Sequence, residues 1–202
     1  MLDLIQRGGV IFVIIIALSV VAVAIIIERM LFFKKTRGDE EAIMRRLETT
    51  LAKGNFDEAL AVCEAMPSPI TNLMKVGIEH RAYSREVIKM AVSDAANMEI
   101  PQMERFLSTL GTIAHVTPLL GLLGTVTGNI QAFGVLGQTG VGTGDPTILA
   151  KGISEALLTT AAGIIVSVPA IAFYNYLVSR VNHSIIRLEN RVNELVLYLK
   201  KE

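Results

Sequence analysis

The sequence predicts an all-α integral membrane protein with three transmembrane helices and long cytoplasmic helical extensions. Three observations carry this expectation. The 202 residues are 51% apolar with a mean hydropathy of +0.51, well above an ordinary soluble domain. The apolar residues gather in three spans, each long enough to cross about 30 Å of hydrocarbon. The stretches between and after them carry the charges and show helix start and stop signals. Acidic and basic residues balance at 19 each, which leaves no electrostatic reason to bind nucleic acid.

The first span covers residues 8–27, uncharged and mostly aliphatic or β-branched. Asp3 and Arg7 precede it, and Glu28, Arg29, Lys34, Lys35 and Arg37 follow it. Basic residues stay on the cytoplasmic side, so the N-terminus is expected outside and the next region inside. A cleavable signal would have a shorter apolar core and a small-residue cleavage site, and this span reads as an anchor instead. For Glu28 and Arg29 at the inner interface, a snorkelling or interhelical ion pair is the plain expectation.

Residues 36–104 read as a bundle of cytoplasmic helices. Gly54 suits a helix end, and Asn55 with Glu58 three residues on has the pattern of a capping box. That helix must stop at Met66, because Pro67 pushes the residue before it out of the helical region. Pro69 suits the first turn of another short helix. From Ser84 onward no compelling break precedes the membrane, so the second span is expected to continue a long helix that Pro101 bends. The one cysteine, Cys63, excludes an internal disulfide and offers no metal-ligand spacing, and it reads as a small core residue.

The second span, residues 111–132, has an unusual face. At about 100° per residue, Gly111, Ala114, Pro118, Gly121, Thr125, Gly128 and Ala132 fall on one side, with Thr125 at its centre. Small residues in place of polar ones mark helices that pack closely inside a bilayer. Between Arg105 and Asp145 nothing is charged, save for the titratable His115. Residues 134–146, rich in Gly and Thr and free of Lys and Arg, read as an exposed turn on the outside. No Lys-Ser/Thr follows these glycines and no strand precedes them, so they are not a phosphate loop.

The third span, residues 155–178, repeats the pattern: Ala156, Gly163, Ser167, Ile171 and Tyr174 share a face with Thr160. Helix is expected to run on to the C-terminus, with Val181, Ile185, Leu188, Val192, Leu195 and Leu199 in a heptad-like stripe. That stripe fits either self-association or packing on the same chain's cytoplasmic region.

Carrying protons across a bilayer normally takes a titratable group. The spans offer hydroxyls at Thr125, Thr160 and Ser167, which order water or bond a carboxylate but do not ionise near neutral pH. Glu155 stands at the outer end, about 140° from Thr160, and fits a pore mouth, a subunit contact or a pair with Lys151 one turn earlier. His115 fits a structural hydrogen bond between helices better than a pH-responsive role. The proton carrier is therefore absent or comes from another chain. No nucleophile–base pair or metal cluster points to an enzyme or to a cofactor.

Two blocks, PLLGLLGTVTGNIQAF (118–133) and KGISEALLTTAAGIIVSVPA (151–170), resemble the signature blocks of the ExbB/TolQ/MotA proton-channel family. IIIERMLFF (25–33) is similar to that family's exit from its first span. Three spans match the ExbB and TolQ branches better than the four-span MotA branch. The resemblance implies Thr125 and Thr160 as pore threonines and Glu155 as the glutamate that opens the third span. It also implies a pentameric ring around a single-span ExbD- or TolR-like partner with a transmembrane aspartate. Such a ring uses the proton motive force of the inner membrane for TonB-dependent or Tol-Pal type work, through a TonB-like or TolA-like protein. His115 departs from the small or amide residue expected there.

The candidate proton-path residues are thus Thr125, Thr160, Glu155 and Ser167, with Gly121, Gly128, Gly163 and Pro118 as helix-packing residues. The expected division is 1–35 for the N-terminus and first span, 36–104 for the cytoplasmic helices, 105–179 for the channel core and 180–202 for the C-terminal helix. The lopsided Lys/Arg count makes the topology testable. A reporter fused after Gly140 should be exposed outside, and reporters after Thr50 or Glu202 inside; any other pattern removes the three-span assignment.

Overall fold

The computed structural model describes residues 2–139 and 146–199, and every element among them is an α-helix. In chain order these are α1 (Leu2–Ala52), α2 (Phe56–Ala65), α3 (Pro69–Glu79), α4 (Arg85–Glu104), α5 (Leu107–Thr139) and α6 (Pro146–Leu199). Stretches within α1, from α4 into α5, and within α6 are long and apolar enough to cross a membrane. The chain is an integral membrane protein.

Contacts divide it into two units. One holds Met1–Glu28 and Phe106–Tyr176, the other Arg29–Arg105 and Leu177–Glu202. In the first unit α1 buries a stripe of Phe12, Ile15, Ala22 and Ile25 at helical spacing and exposes Val10, Val13, Val20 and Val23. An apolar exposed face of that kind is stable against lipid and not against water. Gly9 departs from helical geometry at φ 63°, so the regular part of the span starts after it.

The second unit is a bundle that buries Leu47, Ile78, Ile88, Val92 and Leu195. Gly54, at φ +75°, ends α1 in a left-handed conformation that glycine adopts without strain. The expected capping box at Asn55 does not form. Asn55 caps no backbone group, and its side chain reaches only the Glu58 carboxylate, at 3.4 Å. The box stands one helix later. The Thr71 N–H donates to the Ser68 hydroxyl and the Ser68 N–H to the Thr71 hydroxyl, with Pro69 in the first turn of α3. Cys63 is buried on α2, and burial pushes its thiol up to about 11, which keeps it protonated and inert.

The C-terminal stripe packs within one chain. Val181, Leu188, Val192 and Leu195 are buried, and Leu195 presses on Gly77 of α3. Arg191 pairs with Glu48 of α1 at 3.6 Å. On α4 the Glu99 side chain, 9% exposed, accepts from the Asn72 amide of α3 at 2.7 Å, a hydrogen bond that offsets the cost of burying a polar group in a bundle.

The chain breaks before the second span, against expectation. Pro101 stays inside α4, and the helix ends at Glu104; Phe106 takes φ +64°, uncommon for a side chain of its size. The break frees carbonyls at the end of α4, and Arg29 takes one of them. Its guanidinium, 2% exposed, donates to the Gln102 carbonyl at 2.9 Å and lies over the Phe32 ring at 4.6 Å. Arg29 thus caps a helix instead of snorkelling. Helix α5 also runs further than expected, to Thr139, so only residues 140–145 of the expected turn at 134–146 lie outside the described residues.

Candidate functional site

Helices α5 and α6 run antiparallel in the first unit and touch backbone to backbone. A methyl group added at Gly163 would lie 2.6 Å from the Thr117 carbonyl oxygen; one at Gly121 would lie 2.9 Å from that of Thr159. At Gly128 it would meet the Ala156 methyl at 2.8 Å, and at Gly152 the Ala132 methyl at 2.8 Å. Only glycine permits so close an approach, and the approach brings each helix's hydroxyls within reach of the other's carbonyls. Gly121, Gly128 and Gly163 all lie in this seam. Gly124, Gly152 and Thr159 belong to the seam too, although the helical wheel did not single them out.

Hydroxyls stitch the seam together. Thr160 Oγ1 donates to the Gly121 carbonyl at 2.9 Å, and the buried Thr159 Oγ1 to the Ala156 carbonyl of its own helix at 2.7 Å. Ser167 Oγ donates to the Ala114 carbonyl at 2.7 Å. That last bond has a cause in the covalent chain. Pro118 has no N–H to give the carbonyl four residues back, and in a bilayer no water would replace it. Ser167 supplies the missing donor, so Pro118 acts by freeing a carbonyl and Ser167, 3% exposed, is held inside the seam.

The two threonines stand beside the seam rather than at its centre. Gly124 lies against Thr159 on one edge. One residue on, each chain has turned about 100°, and because the helices are antiparallel Thr125 and Thr160 flank the other edge together. Both are half-buried. Thr125 Oγ1 spends its hydrogen on the Leu122 carbonyl at 2.6 Å, as Thr160 does on Gly121. With the hydrogens committed inward, each oxygen offers lone pairs to a donor on that edge.

The other candidates lie elsewhere. Glu155 is half-buried and falls on the Thr159 edge by the same arithmetic, and among the described residues it forms no ion pair with Lys151. Thr127, on that edge too, bonds its own helix at Leu123 (3.0 Å) and Gly124 (3.1 Å). His115 is exposed on the far side of α5, its Nδ1 2.6 Å from the Gly111 carbonyl. Among the described residues no group of His, Cys, Asp and Glu could hold a metal ion.

Comparison with known proteins bears on this geometry. Residues 65–190 match the model of the MotA/TolQ/ExbB proton channel family. The chain is 34% identical over 174 residues to biopolymer transport protein exbB1 of Vibrio cholerae, covering 76% of this chain and 74% of the relative. It is 41% identical over 92 residues to the Tol-Pal system protein TolQ of Haemophilus influenzae, covering 46% of this chain and 40% of that one. An ExbB homolog of Methanothermobacter thermautotrophicus is 29% identical over 189 residues, 93% of this chain, which spans 66% of that protein's length.

The seam can be tested by size alone. Gly163→Ala should destabilise the protein in detergent by about 1–3 kcal/mol, the usual cost of overpacking. Gly134→Ala, where nothing lies within 4 Å, should leave thermal unfolding unchanged. Equal unfolding midpoints for the two variants would show that α5 and α6 are further apart than described.

Proposed function

The chain belongs to the MotA/TolQ/ExbB proton channel family, and from that premise we propose that it is the channel subunit of an inner-membrane motor driven by the proton motive force. Five copies form a ring around the helices of a single-span ExbD- or TolR-like partner. Residues 105–179 are the channel core; 36–104 and 180–202 lie in the cytoplasm, and the N-terminus faces the periplasm. Through a TonB-like or TolA-like protein the motor energises outer-membrane transport or Tol-Pal type work. Names of both kinds occur among the relatives, an exbB1 and a TolQ.

The observation that supports this reading most directly is the shared edge of Thr125 and Thr160. A proton carrier on the partner, an aspartic acid, needs acceptors when protonated and ordered water when ionised. Two hydroxyl oxygens with free lone pairs supply both, and they cannot themselves trap the proton. Glu155 takes part at the outer end of the path, and Ser167 holds the wall that carries it. The rest of the second and third spans brings no carboxylate, so this chain is the passive side of the path.

One observation favours a second reading, a non-conducting scaffold that assembles partner membrane proteins. Both threonine hydrogens are already used within the chain, as they would be in a purely structural pair. Valine substitution separates the two readings, since it keeps the shape and removes the hydrogen bond. Interhelical hydrogen bonds in membranes average only about 0.6 kcal/mol, so Thr160→Val and Thr125→Val should fold and assemble. If the threonines line the path, each should abolish partner-dependent output, and Thr127→Val should retain it. Full output from all three would leave the scaffold.

A further inference from the structure

Two prolines interrupt the paired helices, and only one of the carbonyls they free has its donor described. Pro118 frees Ala114, which Ser167 satisfies. Pro169 likewise has no N–H for the Ile165 carbonyl four residues back. Ile165 is 71% exposed, and Val168 beside it is also exposed. By helical arithmetic Ile165 points about 160° away from the seam, so no part of α5 in the same chain reaches it. A carbonyl left without a donor in hydrocarbon is costly, and membrane helices satisfy such groups from a neighbouring helix.

A group suited to that role sits at the same depth on the opposite flank of the pair. His115 is exposed and points about 130° away from the seam on α5. Ala114 stands against Ser167 and Thr117 against Gly163, so His115 is level with residue 166 of α6. Its Nδ1 lies 2.6 Å from the Gly111 carbonyl. A carbonyl only accepts, so Nδ1 carries a hydrogen, and the outward nitrogen is Nε2. In the neutral ring Nε2 accepts; once protonated it donates. An imidazole turned toward lipid is as poorly placed as the carbonyl that Pro169 leaves, and polar groups in membrane spans almost always face protein or water.

We propose that these two flanks meet between copies of this chain: protonated His115 on α5 of one copy donates from Nε2 to the Ile165 carbonyl on α6 of the next. The occupant is a second copy because only parallel copies, inserted the same way, keep the two groups level. The contact is heterologous, head to tail, the kind that a closed ring of identical subunits repeats. It rests on the ring reading and adds its register and its dependence on a proton. No other charge competes at that depth. Helix α5 has no Asp, Glu, Lys or Arg from Phe106 to the end of its described span. On α6 Lys151 and Glu155 lie toward one end and Tyr174, Tyr176 and Arg180 toward the other, and α1 has none between Arg7 and Glu28.

Cysteine pairs in the full-length protein, in a Cys63→Ser background, test the register. His115→Cys with Ile165→Cys should form an oxidative ladder of cross-linked subunits. His115→Cys with Leu157→Cys, about 12 Å off level, should not. An assembly of unchanged mass that fails to cross-link at His115–Ile165, or that cross-links equally at the off-level pair, overturns the contact and leaves the ring intact. A monomer by native mass overturns the ring and the contact with it. The proton requirement has its own readout. Exchange of labelled subunits should be roughly tenfold slower in an acidic than in an alkaline buffer, and His115→Phe should erase the difference. Equal exchange at both pH values in the unsubstituted protein would overturn it.

Discussion

At Gly163 the clearance to the Thr117 carbonyl is too small for a methyl group, and what the paired helices present depends on that approach. Were α5 and α6 held apart by ordinary side chains, the Thr160 hydroxyl could not reach the Gly121 carbonyl, nor Ser167 that of Ala114. In lipid there is no hydrophobic gain from bringing two helices together, so close van der Waals contact and such hydrogen bonds have to do it. Gly121, Gly124, Gly128, Gly152 and Gly163 supply the first, and the hydroxyls supply the second.

The same economy of polar groups explains the hydroxyls. A bilayer tolerates a serine or threonine whose hydrogen goes to a carbonyl, because that removes the group's main desolvation cost. Each oxygen still keeps lone pairs. Where the residue is enclosed, as Ser167 is, those lone pairs serve only the packing. Where it stands on an edge, as Thr125 and Thr160 do, they face whatever lies beside the pair. A structural bond and an outward-facing acceptor are thus parts of one side chain.

Much of this was legible in the sequence. The helical period brings Gly121, Gly128 and Gly163 to one face of each helix without any structure, and the long apolar spans point to a helical membrane protein. The period orders residues around a helix but does not say where the neighbour lies. It placed Thr125 at the centre of the small face, whereas contact centres between Gly121, Gly124 and Gly128. The second helix settles this: Gly124 looks unremarkable until Thr159 is set against it. The break at Phe106 left no local signal, since Glu-Arg-Phe-Leu contains neither glycine nor proline. The C-terminal stripe is two-sided for the same reason. Heptad spacing shows that a face is buried, and only the contact of Leu195 with Gly77 shows that the same chain buries it.

In the proposed function this chain is a wall without a carrier: hydroxyls on an edge, no carboxylate in mid-membrane, the proton brought by another protein. Proton uptake into liposomes under an imposed potential tests that claim most directly, with the purified chain alone compared against the chain reconstituted with its single-span partner. The account predicts vesicles that stay proton-tight with the chain alone and take up protons when the partner is present. Sustained uptake through the chain alone would contradict it.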